Sequence, residues 1–179
     1  PLASHCAQVG ATLARMHLAG KDFPAYQPNL LGVDWWRETA PVLLPSLNAD
    51  AAAMLRDEVD FQVAFAASAA YRQLPAGPAH CDLFRDNVLF AGTREAPELG
   101  GFIDFYFAGC DTWLFDLAVC VNDWCIDHAS GEFRPELMQS LLNAYAQVRP
   151  LTDVERDSWR TLLRAAALRF WMSRLRDFH

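Results

Sequence analysis

His80-Cys81-Asp82-Leu83-Phe84-Arg85-Asp86-Asn87, running straight into Val88-Leu89-Phe90, is the most informative stretch of this chain. Val88-Leu89-Phe90 and Gly101-Phe102-Ile103 are short apolar runs on either side of a polar turn containing Gly92, a pattern that predicts a small β-hairpin. Asp82 and Asn87 come before the hairpin and Asp104 after it. A hairpin returns its second strand beside the first, so Asp104 is expected close to Asn87 in spite of the gap in sequence. Carboxylate and amide oxygens, without thiolate or a histidine pair, form the ligand set of Mg²⁺ rather than of zinc.

Outward from the hairpin the chain reads as helix. Leu2, Cys6, Val9, Leu13 and Met16 recur at helical spacing and Gly20 is a natural stop. Pro24, Pro28 and Gly32 mark a loop, after which Asp34 is expected to cap a short helix carrying Trp35 and Trp36, broken near Pro41 and Pro45. From Asn48 to about Leu74 the pattern predicts one long helix with Leu55, Val59, Gln62, Val63 and Ala66 on one face, ended by Pro75, Gly77 and Pro78. Beyond the hairpin, Trp113 to Ile126 reads as an almost wholly buried helix, with Asp111 as a candidate cap. Glu132 to Val148 follows, with Pro135 in its first turn. The last helix runs from Thr152 to about Phe178, opened by the capping box Thr152-Asp153-Val154-Glu155. The fold class is mainly α with a small β-hairpin, in one unit over residues 1–179.

Composition narrows the function. With 53% hydrophobic residues and 12% aromatic ones in 179, the chain can bury a core and is not a disordered polypeptide. Fifteen basic against twenty-two acidic residues argue against a nucleic-acid partner. Five cysteines, an odd number without CxxC spacing, argue against a disulfide framework or zinc site and for a reducing compartment. No signal peptide and no membrane-spanning run is visible, so a cytoplasmic location without a membrane partner is expected.

Phosphoryl transfer needs Mg²⁺ to bridge nucleotide phosphates and a separate carboxylate to orient the acceptor hydroxyl and take its proton. Asp104, a lone acid ending an apolar strand, suits the metal; Asn87 adds a neutral oxygen; Asp82 is left for the hydroxyl. The H-x-D-x-x-x-x-N pattern followed by apolar-Asp-Phe is specific. Ordinary turn and cap chemistry is the competing reading for Asp82, Asn87 and Asp104, and a satisfied buried histidine for His80. Asp86 reads as a solvated loop acid, while Arg85 fits either phosphate or solvent.

His80 to Asn87, together with Ile103-Asp104-Phe105, resembles the catalytic and metal-binding loops of the protein-kinase-like phosphotransferases. Cys81, a small residue where protein kinases carry Arg, is similar to the aminoglycoside phosphotransferase and choline kinase branch. Asp82 to Phe90, Ile103 to Ala108, Phe115 to Cys125, and Leu13-Ala14-Arg15-Met16-His17-Leu18-Ala19-Gly20 look most like the homoserine kinase family of that branch. The resemblance covers essentially the whole chain but only the family's C-terminal, helical lobe. It implies ATP- and Mg²⁺-dependent phosphorylation of a small alcohol, most of all L-homoserine on the way to threonine. Asp82 would then be the catalytic base, Asn87 and Asp104 the Mg²⁺ and nucleotide-side ligands, and His80 and Asp116 the supports of the loop. Asn122, Asp123 and Arg85 are candidate substrate contacts, Asp127 a lesser one. For a substrate carboxylate Arg169, Arg174 and Arg176 are available, although a solvated helix face displays arginines in any case.

The family also uses an N-terminal lobe with a glycine-rich loop and a strand lysine. This sequence has a single lysine, Lys21, outside any such motif, and no GxGxxG. It opens inside a helix and ends at Phe178-His179 without a stop signal. A longer parent chain supplying that lobe is therefore expected, and little activity from these residues alone. Competing readings are an aminoglycoside or choline/ethanolamine phosphotransferase, a phosphohydrolase using His80, Asp82, Asp86 and Asp104 around a metal, and a catalytically dead binding module.

Overall fold

The computed structural model describes residues 1–178; His179 lies outside the described residues. Among the described residues, seven α-helices pack with two small antiparallel sheets. α1 (Ala3–Gly20) lies against α6 (Pro135–Val148), and the approach is close: a Cβ on Gly10 would sit 2.2 Å from the Leu141 carbonyl oxygen. His17 rather than Met16 completes the fully buried stripe of α1 formed by Cys6, Val9 and Leu13. α5 (Trp113–Trp124) is the central rod, with ten of its twelve residues buried, and α7 (Asp153–Phe178) packs along it. No helix among the described residues is long and apolar enough to cross a membrane.

The predicted hairpin is β2 (Val88–Gly92) paired with β3 (Pro97–Phe102), Val88 opposite Phe102. A second sheet was not visible in the sequence: β1 (Ala76–Ala79) pairs with β4 (Gly109–Thr112), Ala79 opposite Gly109. Its strands are four residues long; β1 carries Gly77 and Pro78, which read as helix stops. This sheet is what orients the site. β1 delivers the chain into His80, and β4 ends at Thr112, whose hydroxyl caps α5 by accepting from the Phe115 amide at 3.3 Å.

Four further expectations need correction. Asp34 does not cap α2 (Val33–Leu43); Gly32 stands at that position and Asp34 falls in the first turn. Nor does Pro41 break the helix, which carries it in its last turn and ends in a short 3-10 turn, Leu44–Ser46. The long helix is two: α3 (Ala49–Ala66), capped by Asn48, then a break at which the Ser68 side chain accepts from the Tyr71 amide to start α4 (Ala69–Arg72). A serine hydroxyl able to bond its own backbone is enough to restart a helix in a new direction. Asp111 is not the α5 cap; it accepts from Asn29 Nδ2 at 2.6 Å. The Thr152–Glu155 capping box is formed, with the Thr152 amide donating to Glu155 at 2.8 Å and the Glu155 amide to the Thr152 hydroxyl at 3.3 Å.

Candidate active site

One face of α5 holds the loop at His80, Cys81, Leu83 and Arg85. Asp116 accepts the amides of His80 and Cys81, each at 2.8 Å. One turn on, the Cys120 thiol reaches the Leu83 carbonyl at 3.5 Å, and two turns on Trp124 Nε1 donates to the same oxygen at 3.2 Å. Between them Asp123 accepts the Arg85 amide at 2.7 Å. Positions 116, 120, 123 and 124 follow helical spacing along one stripe. A helix otherwise apolar thus presents the loop with a row of polar partners at matching depth.

The loop is closed on itself by hydrogen bonds that run between the candidate residues. Asn87 Nδ2 donates to the Asp82 carbonyl at 2.8 Å, the Ile103 amide donates to the Asn87 carbonyl at 3.0 Å, and His80 Nε2 reaches the Ile103 carbonyl at 2.9 Å. This circuit brings Asp82, Asn87 and Asp104 together around one corner. Asn87 spends its amide nitrogen on the loop, which leaves its oxygen as the free end. Asp104 is exposed, with only the Tyr106 amide at 3.4 Å on its Oδ1. Cys81 and Asp104, at φ +63° and +60°, are the two non-glycine residues in the left-handed region among those described, and they bracket this corner. Such strain costs about 1–3 kcal/mol per residue and persists where surrounding contacts hold it; the Cys81 amide is held by Asp116, and Asp104 follows the clamped Ile103.

Behind Asp116 a buried chain runs to the far end of α6. Arg149 Nε donates to the Tyr145 hydroxyl at 2.8 Å, the hydroxyl meets His17 Nδ1 at 2.7 Å, and His17 Nε2 meets Asp116 Oδ2 at 3.0 Å. Since the carboxylate can only accept, Nε2 carries the hydrogen, Nδ1 accepts from the tyrosine, and every member finds one direction. Trp113 stacks on His17 at 5.5 Å, and Arg149 is anchored by Glu155. Burial alone would raise the Asp116 carboxyl, but hydrogen bonding from His17 and from the His80 amide opposes it, and the group lies below the usual carboxylate value. His17 was missed as a support of the loop. Its signal was spacing: a histidine four residues after Leu13, on the apolar stripe.

Asp82 opens onto a cleft of about 380 Å³ lined by Trp35, Phe84, Phe107 and three arginines of α7, Arg169, Arg174 and Arg176. Arg169 Nη2 donates to Asp82 Oδ1 at 2.6 Å. Burial raises the Asp82 carboxyl above its ordinary value, and Arg169 opposes that rise without cancelling it. Asn122, Asp123 and Arg85 do not line this cleft. Asn122 Nδ2 is spent on the Leu163 carbonyl of α7 at 2.9 Å, and Asp123, on the stripe that grips the loop, pairs with Arg85 Nε at 3.1 Å. Asp127 is exposed and caps its own turn through the Ala129 and Ser130 amides. The phosphohydrolase constellation is not assembled: His80 is bonded to Ile103, Asp86 faces solvent, and no group of three His, Cys, Asp or Glu side chains among the described residues is arranged to hold a metal.

A helical body with a hairpin at its corner, an aspartate-asparagine loop before the hairpin and an aspartate after it, define the helical lobe of a protein-kinase-like fold. The chain belongs to the phosphotransferase enzyme family APH, whose family model matches residues 1–151. It is 56% identical over 183 residues to a homoserine kinase of Paraburkholderia phymatum and 59% identical over 180 residues to one of Cupriavidus necator. All of this chain is covered in both cases, but it spans only 57% and 54% of those relatives, aligning with their C-terminal part. Among solved structures, an amicoumacin kinase in complex with AMP-PNP, Ca²⁺ and amicoumacin matches with a TM-score of 0.66 at 18% identity over 97% of this chain and 52% of that one. A choline kinase of Cryptosporidium parvum matches with a TM-score of 0.65 at 16% identity, over 97% of this chain and 59% of that one. At such identities the likeness concerns the fold.

Proposed function

We propose that the protein containing this chain transfers the terminal phosphoryl group of ATP to the hydroxyl of L-homoserine, and that residues 1–179 are its acceptor-side lobe. The nucleotide-covering lobe, with its glycine-rich loop and lysine, is assigned to the part of the relatives' length that this chain does not span. The observation carrying the chemistry is the convergence of Asp82, Asn87 and Asp104 on one hydrogen-bonded corner; the acceptor rests on the relatives of 54–59% identity named homoserine kinase.

In this reading Asp82 orients the hydroxyl and receives its proton while the new O–P bond forms and the bond to the departing ADP breaks. The raised Asp82 carboxyl favours that role, because a base titrating nearer the working pH takes a proton more readily. The Asn87 side-chain oxygen and the Asp104 carboxylate would hold Mg²⁺; two oxygen donors without a complete protein cage suit an ion that keeps waters and phosphate oxygens as its remaining ligands. When bound, Mg²⁺ would neutralise phosphate charge and align the nucleotide. His80 and Asp116 fix the loop, so the rate comes from positioning and preorganised charge.

The test is ATP consumption with Mg²⁺ by the full-length protein, offered L-homoserine, choline, kanamycin or no acceptor. Turnover confined to homoserine supports the proposal. Turnover with choline or kanamycin overturns the acceptor while keeping the chemistry, and none with any acceptor favours a binding module.

A further inference from the structure

Arg169 is nearly fully buried, at 3% exposed, but its hydrogen-bonding capacity is not used up. Its Nη2 donates to Asp82 Oδ1, while its Nε is buried with no acceptor. Nε and Nη2 lie along one edge of the guanidinium, the edge that a carboxylate engages with two parallel bonds. Only one prong of that fork is occupied. Phe84 and Phe107 lie beneath and beside the group, with Cζ 5.1 and 5.8 Å from their ring centres, so its plane is fixed.

The surroundings point the same way. Trp35 lines the same cleft, and its Nε1 is likewise buried without an acceptor. Arg174, paired with Asp177 at 3.8 Å, and Arg176 line it too, so the cleft lining carries three cations against the two acids Asp82 and Asp177. Two unmet donors and a surplus positive charge suit a ligand that brings a carboxylate.

We propose that Arg169 is the specificity-determining residue of the cleft: it covers Asp82 until an acceptor carboxylate takes the Nε–Nη2 edge, and that exchange frees Asp82 Oδ1 for the acceptor hydroxyl. The inference rests on the reading of Asp82 as the proton-accepting carboxylate. It adds that an alcohol without a carboxylate, water included, leaves Asp82 covered. Discrimination then arises from the uncovering of the base as well as from binding.

The experiment compares L-homoserine with 3-aminopropan-1-ol, the same molecule without its carboxyl group, on full-length wild type, Arg169→Gln and Arg169→Lys. Arg169→Gln is expected to lower kcat/KM for homoserine on the order of 100-fold and to raise that for the amino alcohol several-fold, because Asp82 is then no longer covered. Arg169→Lys, which keeps the charge but not the fork, should fall between. Equal losses on both acceptors would make Arg169 a mere support of the loop and overturn the proposal, as would an unchanged value for homoserine. Should wild type fail to phosphorylate homoserine, the proposed function fails, and calorimetry with L-2-aminobutyrate and propylamine decides the present point separately. Binding of the acid over the amine by wild type, lost in Arg169→Gln, sustains a carboxylate site; no preference for the acid overturns it.

Discussion

Asp116→Asn removes one charge and leaves the side-chain shape unchanged, which makes it the sharpest probe of how the loop is held. The carboxylate accepts three bonds, at 2.8 Å from the His80 amide, 2.8 Å from the Cys81 amide and 3.0 Å from His17 Nε2, and Asp116 is fully buried. An asparagine has one accepting oxygen. If it serves Cys81, the new NH₂ group faces the His80 amide and His17. The histidine can adapt by exchanging its tautomer, accepting at Nε2 and donating from Nδ1 to Tyr145. The His80 amide cannot, and a buried donor facing a donor costs about 1–3 kcal/mol, to which the lost charge assistance at Cys81 adds about 1 kcal/mol. Relief from burying a charge offsets little, because the bonds already outweigh burial at this carboxyl. The expected loss is therefore about 2–4 kcal/mol. It would be read as a lower urea midpoint at unchanged slope, with faster hydrogen exchange at the His80 and Cys81 amides. A loss under about 0.5 kcal/mol with both amides still protected would refute the reasoning, since surface substitutions do as much.

The same carboxyl predicts an acid dependence. Its folded-state value lies below the ordinary 3.8, so its stabilisation is complete above that value and fades as pH falls through the folded one. The stability gap between wild type and Asp116→Asn should stay constant from neutral pH down to about 5 and narrow below about 4 in an acid titration. Gly10→Ala should cost roughly 2–4 kcal/mol by calorimetric melting, because a methyl 2.2 Å from the Leu141 carbonyl oxygen forces α1 off α6. Arg149→Met should cost about 3–5 kcal/mol in urea, leaving Glu155 buried and unpaired, and Arg149→Met with Glu155→Gln should recover part of it. Trp124→Phe should cost about 1–2 kcal/mol and speed exchange in the loop, as the buried Leu83 carbonyl loses its best donor.

Local pattern made some of this molecule legible and not the rest. The hairpin from Val88, the capping box at Thr152 and the buried helix from Trp113 are written in neighbouring residues, and the structure has them. The helix break at Ser68 and the pairing of Ala76–Ala79 with Gly109–Thr112 are not, because a four-residue strand of Ala, Gly and Pro has neither alternation nor β-branched residues to announce it. Around the site, the loop residues stood out by spacing, but their wiring did not. Asp123 and Asn122 read as substrate contacts because buried polar groups need partners, yet the partners are the Arg85 amide and the Leu163 carbonyl, supplied by tertiary packing. Arg169 looked like any arginine of a solvated helix. Only the docking of α7 on α5 buries it and brings it onto Asp82.

The most direct test of the assigned chemistry is single-turnover phosphoryl transfer from ATP to L-homoserine by full-length Asp82→Asn. Losing the proton acceptor while leaving the Asn87–Asp104 corner in place should slow transfer about 10²- to 10⁴-fold with the nucleotide affinity nearly unchanged. A variant that transfers phosphate within about threefold of wild type would contradict the account, for Asp82 would then not be the base.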